Sequence, residues 1–342
     1  YPGGAILTII DDDVAPELIW SEFTGMPGEP SLARRCGELF AQQLYNWQEF
    51  AAAHMEMNGA WLRELNAAGH TLLVQYNPGR SVSATAAVDA SSVRRRPCFL
   101  CHYRLPAAQQ AVRYRGDFLI LVNPRPIFSP HFTVAHVRHL PQRLADHVGT
   151  LLTLAKDLGN DFTVFYNGPR CGASVPDHHH FQICPAGAVP VEKEWEAGSR
   201  IMNGNRPGVK FGVWNLPGRS AVVMEGPDRE ALAALFTELI AALGTATDSG
   251  EEEPLLNLLA THREGRWRLF LFPRRKHRPD AYYREGDDAL LVTPGAVEMG
   301  GVIITVREGD FLRMTAPLAV EIYGEVSLHA EEVGEIIDKY LG

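Results

Sequence analysis

The chain has 342 residues, of which 46% are hydrophobic and 21% are charged, and its formal net charge is −9. This length suffices for two core-forming units, and the composition is that of an ordinary soluble globular protein. The acidic balance argues against bulk nucleic-acid binding, and no run approaches the ~18 apolar residues of a membrane span, so we expect neither nucleic acid nor membrane as a partner. No basic-then-apolar signal opens the sequence, and five cysteines do not suggest a disulfide framework, so we expect a cytoplasmic protein.

Residues 1–90 are predicted to form a helix-rich N-terminal segment that includes a first strand. Apolar residues recur at helical spacing over 31–54, after a run of prolines and a glycine. The strand-like run 71–76 then leads into the turn that contains Arg80. Because residues just past a strand end often face a ligand, Arg80 is a candidate phosphate contact. A solvent-exposed turn arginine is an equally good interpretation.

Residues 91–200 follow a regular order of strands and one helix. Apolar runs predict strands at 118–122, 131–134, 162–166 and 179–184, with an amphipathic helix over 141–157 between the second and third strands.

Residues 201–342 repeat this order. The sequence predicts a strand at 221–224, a helix over 228–243 that begins at Asp228 and stops at Gly244, a hairpin of 255–262 with 266–272, and a closing helix over 329–341. The fold class is therefore predicted to be α+β. Its two halves are expected to be copies of one unit, each an antiparallel sheet backed by helices.

The pair Cys98 and Cys101 has the Cys-x-x-Cys spacing that lets two thiolates bind one metal ion from a tight turn. Two histidines, His139 and His178, follow at suitable intervals and complete a tetrahedral zinc site. Four protein ligands leave no open position for a substrate water, so the zinc would be structural. His131 and His136 compete with His139 for the third ligand position.

The run His178–Gln182 is the most informative motif of the chain. In an extended segment alternate side chains share a face, so His178, His180 and Gln182 should project together, away from His179 and Phe181. Two imidazoles and a carboxamide on one strand face are costly to desolvate unless they have partners or a function. The run therefore predicts a nucleophile in a ligand site.

A glycine-rich loop over 166–174 precedes this run and lets the backbone approach a ligand closely. Its candidate phosphate-binding residues are Asn167, Gly168, Gly172 and Ser174. Together, loop and strand predict a nucleophile beside a phosphate-binding loop.

The second half carries a basic run directly after the strand that corresponds to 179–184. Arg274, Arg275, Lys276 and His277 are flanked by prolines that fix the local geometry, and they are candidates for binding phosphate or a sugar phosphate. The loop 294–301 is a further segment expected to approach a ligand. No second His-x-His-x-Gln motif occurs, so one chain should carry one nucleophile.

These motifs resemble the histidine-triad superfamily, in its branch of galactose-1-phosphate uridylyltransferases and of phosphorylases that act on dinucleoside tetraphosphates or nucleoside-diphosphate sugars. The resemblance is carried by the His-x-His-x-Gln pattern at 178–182, the Gly-Ala-Ser loop at 172–174, the Cys-x-x-Cys pair at 98–101, and the line 121–128 followed by His131. It covers residues 75–185 by specific motifs and the remainder by the duplicated architecture.

The resemblance implies a role for each residue of the motif. The second histidine of the pattern is the family's nucleophile, which corresponds to His180. Gln182 and Ser174 would bond the phosphoryl oxygens, and His178 would be a zinc ligand. Glutamine rather than histidine at the third position is typical of the transferase branch, so Gln182 indicates a transferase.

We therefore expect a nucleotidyltransferase or phosphorylase that works through a covalent nucleotidyl-histidine. An imidazole attacks phosphorus only when it is neutral, with Nε2 free and Nδ1–H held by an acceptor such as a backbone carbonyl. The expected substrates are a nucleoside diphosphate sugar or a dinucleoside polyphosphate, with phosphate or a sugar phosphate as acceptor. A nucleotide hydrolase and an inactive zinc-containing nucleotide-binding protein are the alternatives, and a homodimer is left open.

Overall fold

The computed structural model of the chain describes residues 14–198, 202 and 204–341. The helices are α1 (Leu32–Asn46), α2 (Gln48–Asn58), α3 (Ser81–Ala84), α4 (Ala90–Arg95), α5 (Val148–Leu158), α6 (Pro190–Ala197), α7 (Arg229–Ala246), α8 (Ala296–Met299), α9 (Glu308–Arg313), α10 (Ala316–Val326) and α11 (Ala330–Tyr340). The strands are β1 (Ile19–Phe23), β2 (Trp61–Ala67), β3 (His70–Tyr76), β4 (Ala111–Tyr114), β5 (Phe118–Val122), β6 (Phe132–His136), β7 (Phe162–Asn167), β8 (His180–Pro185), β9 (Gly204–Arg206), β10 (Val209–Leu216), β11 (Arg219–Gly226), β12 (Leu256–Arg263), β13 (Arg266–Pro273) and β14 (Val302–Thr305).

Two sheets organise the described part of the chain. The larger has eleven strands in the order β1-β4-β5-β6-β8-β7-β12-β13-β11-β10-β9, and the smaller has the order β14-β3-β2. Pairing is antiparallel except that β1 runs parallel to β4 and β14 runs parallel to β3. The predicted α+β class is confirmed.

The duplication predicted from the sequence is confirmed by the connectivity of the large sheet. In the first half β5, β6, α5, β7 and β8 follow along the chain, and the sheet order is β5-β6-β8-β7. In the second half β10, β11, α7, β12 and β13 follow, with the order β10-β11-β13-β12. The two copies join edge to edge through antiparallel pairing of β7 with β12, where Tyr166 lies opposite Leu258.

The two faces of the large sheet are covered differently. One face packs against α1, α5, α7 and α11 in a core that includes Leu39, Leu151, Leu235 and Val333. On the other face the second half is covered by the small sheet together with α6, α8 and α10. The same face of the first half carries a smaller apolar cluster around the Cys-x-x-Cys turn. A cavity lies between these two covers, lined by residues of both.

The helix predicted over 31–54 is two helices. α1 ends at Asn46 and α2 begins at Gln48, because Trp47 adopts an extended conformation while its indole is buried in the core. The structure also contains the small sheet that the sequence did not predict as a unit. Its strand β14 is short and pairs with β3, which lies more than 200 residues away in the sequence.

The helix predicted over 141–157 begins later, at Val148. Residues 141–147 have an irregular conformation and pack against the segment that leads into β8. By contrast, α7 begins as predicted, with the Asp228 carboxylate accepting a hydrogen bond from Ala231 N.

None of the helices in the described residues combines the length and apolarity required to cross a lipid bilayer.

Candidate active site and metal centre

From His179 to Gln182 the side chains alternate between the two faces of the large sheet, as the sequence pattern predicted. His179 and Phe181 pack with Phe118 and Tyr166 on the helix-covered face of the sheet. His180 and Gln182 point to the opposite face, where both line a cavity. The predicted alternation is confirmed for residues 179–182. His178, which precedes β8, points to the thiols of Cys98 and Cys101 and does not line the cavity.

The geometry of His180 fixes its tautomer. Its Nδ1 lies 2.8 Å from the carbonyl oxygen of His178, and a carbonyl only accepts, so Nδ1 carries the proton and Nε2 carries the lone pair. The residue is only 5% exposed, and burial lowers the pKa of its imidazole below the ordinary value of 6.5, partly offset by the bond to the carbonyl. A neutral imidazole with a free Nε2 is therefore the stable form at neutral pH.

Gln182 is oriented by His131, a buried histidine directly before the neighbouring strand β6. The backbone N–H of Ile127 donates to His131 Nδ1 at 3.2 Å, so His131 carries its proton on Nε2. This Nε2–H donates to Gln182 Oε1 at 3.0 Å. With its oxygen engaged, the carboxamide of Gln182 is left with N–H groups to offer to a ligand.

The cavity has a volume of about 340 Å³ and an amphipathic lining. Of the predicted site residues, Arg80, Asn167, Gly172, Ser174, His180 and Gln182 line it. Gly168 lies beside it, where a Cβ atom would stand 2.7 Å from the carbonyl oxygen of Leu256. The apolar part of the lining includes Phe99, Leu100, Leu105, Leu121 and Val122.

The second half contributes one wall of this cavity through α8 and the loop before it. Thr293, Gly295, Val297 and Glu298 all line the cavity. The loop is held by Asn167, whose Oδ1 accepts a hydrogen bond from Ala296 N at 2.6 Å. The loop expected over 294–301 to approach a ligand therefore does reach the cavity.

The four basic candidates of the second half lie outside the lining. Arg274 is buried and donates to Asn257 Oδ1 and to backbone carbonyls, among them that of Pro294. Arg275 pairs with Glu332, and Lys276 pairs with Asp280 and Glu325. His277 Nδ1 donates to the carbonyl of Arg170 at 2.7 Å. These four side chains thus form hydrogen bonds and ion pairs within the protein, and they do not line the cavity with His180.

Sequence reasoning missed three charged residues of the lining. Arg104 and Arg125 add positive charge near Arg80, which itself donates to the carbonyl of Arg125 at 2.7 Å. Glu298 adds a buried carboxylate, and burial raises its pKa. Arg125 lies in the motif at 121–128 that carries the family resemblance, but no ligand contact is predicted for it from the sequence.

The structure brings Cys98, Cys101, His139 and His178 together in one group, with a potential ligand atom of each within 4.8 Å of the others. His178 Nδ1 lies 3.4 Å from Cys98 Sγ and 3.7 Å from Cys101 Sγ, and His139 Nδ1 lies 3.3 Å from Cys101 Sγ. In a tetrahedron with Zn–S of about 2.3 Å and Zn–N of about 2.0–2.1 Å, a nitrogen and a sulfur ligand are separated by about 3.6 Å. The spacing of this group fits a metal ion.

The hydrogen bonds made by these side chains also suit a metal site. His178 donates its Nε2–H to the carbonyl of His136 at 2.7 Å, which leaves Nδ1 unprotonated toward the thiols. His131 and His136, the competing candidates, are engaged elsewhere, His131 with Gln182 and His136 Nδ1 with Arg138 N. His139 is therefore the third member of the group.

Comparison with known proteins supports the fold assignment. A family model described as a domain of unknown function, DUF4922, matches residues 39–185. Comparison with curated proteins gives no match. Among solved structures the chain is similar to yeast Ap4A phosphorylase Apa2, with 17% identity and a TM-score of 0.56 over 85% of this chain and 97% of that one.

The complexes of the same yeast enzyme give similar values. The complex with Ap4A has 17% identity and a TM-score of 0.53, and the complex with AMP has 18% identity and a TM-score of 0.54. Each covers 85% of this chain and 97% of that one. This protein therefore shares the fold of the yeast Ap4A phosphorylase, in agreement with the resemblance that its motifs show.

Proposed function

We propose that this protein is a nucleotidyltransferase or phosphorylase that uses His180 as a covalent nucleophile. The observation that carries the proposal is the bond from His180 Nδ1–H to the carbonyl of His178, which leaves a neutral Nε2 in a ligand-sized cavity. The donor would be a nucleoside diphosphate sugar or a dinucleoside polyphosphate.

The reaction proceeds in two displacements. In the first, the Nε2 lone pair forms a bond to the α-phosphorus, and the P–O bond to the leaving phosphate group breaks, its electron pair staying on that oxygen. In the second, an oxygen of orthophosphate or a sugar phosphate attacks the same phosphorus, and the P–N bond breaks to restore the neutral imidazole. Such a sequence gives ping-pong kinetics.

The remaining residues of the site stabilise the transferring phosphoryl group. The N–H groups of Gln182, the hydroxyl of Ser174 and backbone amides of the 168–173 loop, other than those of Gly168 and Cys171 that donate to carbonyls, act as donors to its oxygens. One such preorganised donor is worth about 2.7–4 kcal/mol. Arg80 neutralises phosphate charge. Because Gln182 has no basic group, it does not activate water, which protects the intermediate from hydrolysis. A Gln182→His variant with an unchanged ratio of hydrolysis to transfer would refute this last point.

For the metal centre we propose zinc in a structural role, held by Cys98, Cys101, His139 and His178. The support is the spacing of the four groups and the two-thiol, two-imidazole donor set, which suits zinc. When bound, zinc would crosslink the Cys-x-x-Cys turn to the segment that leads into β8. The nucleophile lies two residues beyond the last ligand.

The experiment is a panel of nucleotide sugars and dinucleoside tetraphosphates with orthophosphate as acceptor, analysed by product mass. Because the similar yeast structures hold Ap4A and AMP, Ap4A is the first probe. We expect nucleoside diphosphate as a product and an acid-labile adduct on His180, both absent from His180→Ala. Nucleoside monophosphate alone would indicate a hydrolase, and binding without an adduct would indicate an inactive nucleotide-binding protein.

A further inference from the structure

The backbone of the proposed nucleophile is held at a point where two strands of the sheet separate. β7 and β8 pair antiparallel from Phe162 opposite Pro185 to Phe165 opposite Gln182. Continuing that register would place Asn167 opposite His180 and join the two strands by backbone hydrogen bonds. In the structure the ladder stops before this pair.

The side chain of Gln142 fills the gap between the separated strands. Its Oε1 accepts a hydrogen bond from His180 N at 2.8 Å, and its Nε2 donates to His180 O at 3.0 Å and to Asn167 O at 3.0 Å. The backbone N–H and C=O of His180 thus both bond to one carboxamide. Gln142 is 3% exposed, so water does not substitute for these bonds.

The segment that carries Gln142 is itself fixed against the chain leading into β8. Gln142 N donates to the carbonyl of Pro176 at 3.3 Å, and His179 N donates to the carbonyl of Leu140 at 2.6 Å. These bonds explain why 141–147 is irregular rather than the start of α5. The segment substitutes for a neighbouring strand beside 176–180.

We infer that Gln142 is a positioning residue for His180: its carboxamide holds β7 and β8 apart and fixes the backbone from which the imidazole reaches the phosphorus. The bond from His180 Nδ1–H to the carbonyl of His178 spans only two residues, so its geometry depends on the backbone that Gln142 holds. No bond to substrate is assigned to Gln142, which is absent from the cavity lining. The inference rests on the proposed function of His180.

Gln142→Met keeps the length of the side chain and removes all three hydrogen bonds. We expect kcat for Ap4A with orthophosphate to fall by about 100-fold, as a 1 Å misplacement of reacting groups does, while KM changes little. The shorter amide of Gln142→Asn does not reach both strands, so this variant should also lose kcat while KM changes little. It provides the test if Gln142→Met does not fold.

The matched control is Thr163→Val, at the opposite end of the same two strands. The Thr163 hydroxyl is fully buried and donates to Glu192 Oε2 at 2.8 Å, so its loss destabilises the sheet without touching the site. We expect this variant to lower the free energy of unfolding and to leave kcat unchanged. Equal losses of kcat in both variants would reduce Gln142 to a structural residue.

A spectroscopic measurement tests the inference without any substrate. With ¹⁵N-labelled histidine, the His180 ring of the wild type, assigned by comparison with His180→Ala, should show one tautomer with the proton on Nδ1. Gln142→Met should give a mixture of tautomers and fast exchange of the His180 amide. A single unchanged tautomer with full activity would overturn the inference. If the wild-type protein forms no adduct with any substrate, the proposed function is refuted instead. The tautomer measurement then still decides whether Gln142 positions His180.

Discussion

At the scale of single residues, three successive histidines have three different environments. His178 faces the thiols of the metal centre, His179 is buried against the aromatic core, and His180 faces the cavity. The alternation of side chains along a strand predicts the opposite orientations of His179 and His180. The partners that fix tautomers, such as the carbonyl of His178, come from backbone geometry, and no sequence pattern encodes them.

His131 illustrates a functional contact that the sequence does not reveal. The sequence places it among the competing metal ligands and at the end of the motif that starts at 121–128, but neither predicts that its Nε2–H holds Gln182 Oε1. We expect His131→Phe to lower kcat by about 10- to 100-fold, because the ring still packs on Phe165 while Gln182 is free to turn its oxygen toward the phosphate. Steady-state kinetics measure kcat of His131→Phe, and Gln182→Glu is the variant with which it is compared. Unchanged kcat would show that Gln182 needs no orienting partner.

The same residue predicts a pH dependence of stability. Burial lowers the pKa of His131 to about 3, whereas the unfolded chain has the ordinary value of 6.5. Between these values the unfolded state binds the extra proton. Protonation of His131 therefore leaves the free energy of unfolding unchanged above pH 6.5. As the pH falls from 6.5 toward 3, it lowers the free energy of unfolding by up to about 1.4 kcal/mol per pH unit.

The measurement is urea unfolding of wild type and His131→Phe between pH 7.5 and 4.5. The other histidines contribute to both proteins, so the difference between them isolates His131. We expect the wild type to lose stability more steeply as the pH falls. Parallel curves would mean that the pKa of His131 is the same in the folded and in the unfolded protein.

At the scale of elements, the sequence predicted those whose local pattern determines them. The helix capped by Asp228 and the hairpin around Glu264 and Gly265 follow from short-range rules, and both are present. The break at Trp47 and the late start of α5 were missed because long-range contacts override helical periodicity there. Residues 141–147 are irregular since they bond to the segment before β8.

The proposed metal centre would crosslink two such elements, so removal of the metal is expected to lower stability. Chelation, or Cys98→Ser, is expected to lower the melting temperature and the metal content together, because two buried thiols and His178 lose their common partner. The check is metal analysis beside calorimetry, with Cys36→Ser as the control for a buried cysteine outside the group. Equal destabilisation by Cys36→Ser, with metal retained in Cys98→Ser, would exclude the proposed centre.

At the scale of the whole molecule, the duplication explains why the cavity has walls from both halves. The copies meet at β7 and β12, so the loop that follows β7 lies beside segments of the second half. In the second copy the corresponding face is filled by apolar residues and covered by the small sheet. The sequence predicted the duplication from element order, but the covering by β14 and the reach of Glu298 depend on packing between distant segments.

The contact between the halves is tight enough to test with one methyl group. Gly172 has a φ of +86°, and a Cβ atom there would lie 2.7 Å from Gly295 Cα in the loop of the second half. Gly116 has a similar φ of +83° with nothing within 4 Å of a Cβ atom. Alanine at either position has the same backbone cost of about 1–2 kcal/mol, but only Gly172→Ala displaces the cavity wall.

We therefore expect unfolding by urea to show a larger loss of stability for Gly172→Ala than for Gly116→Ala, and Ap4A kinetics to show lost activity in Gly172→Ala alone. The loop that Gly172→Ala displaces lines the cavity. Equal activity in both variants would therefore mean that the second half does not shape the site.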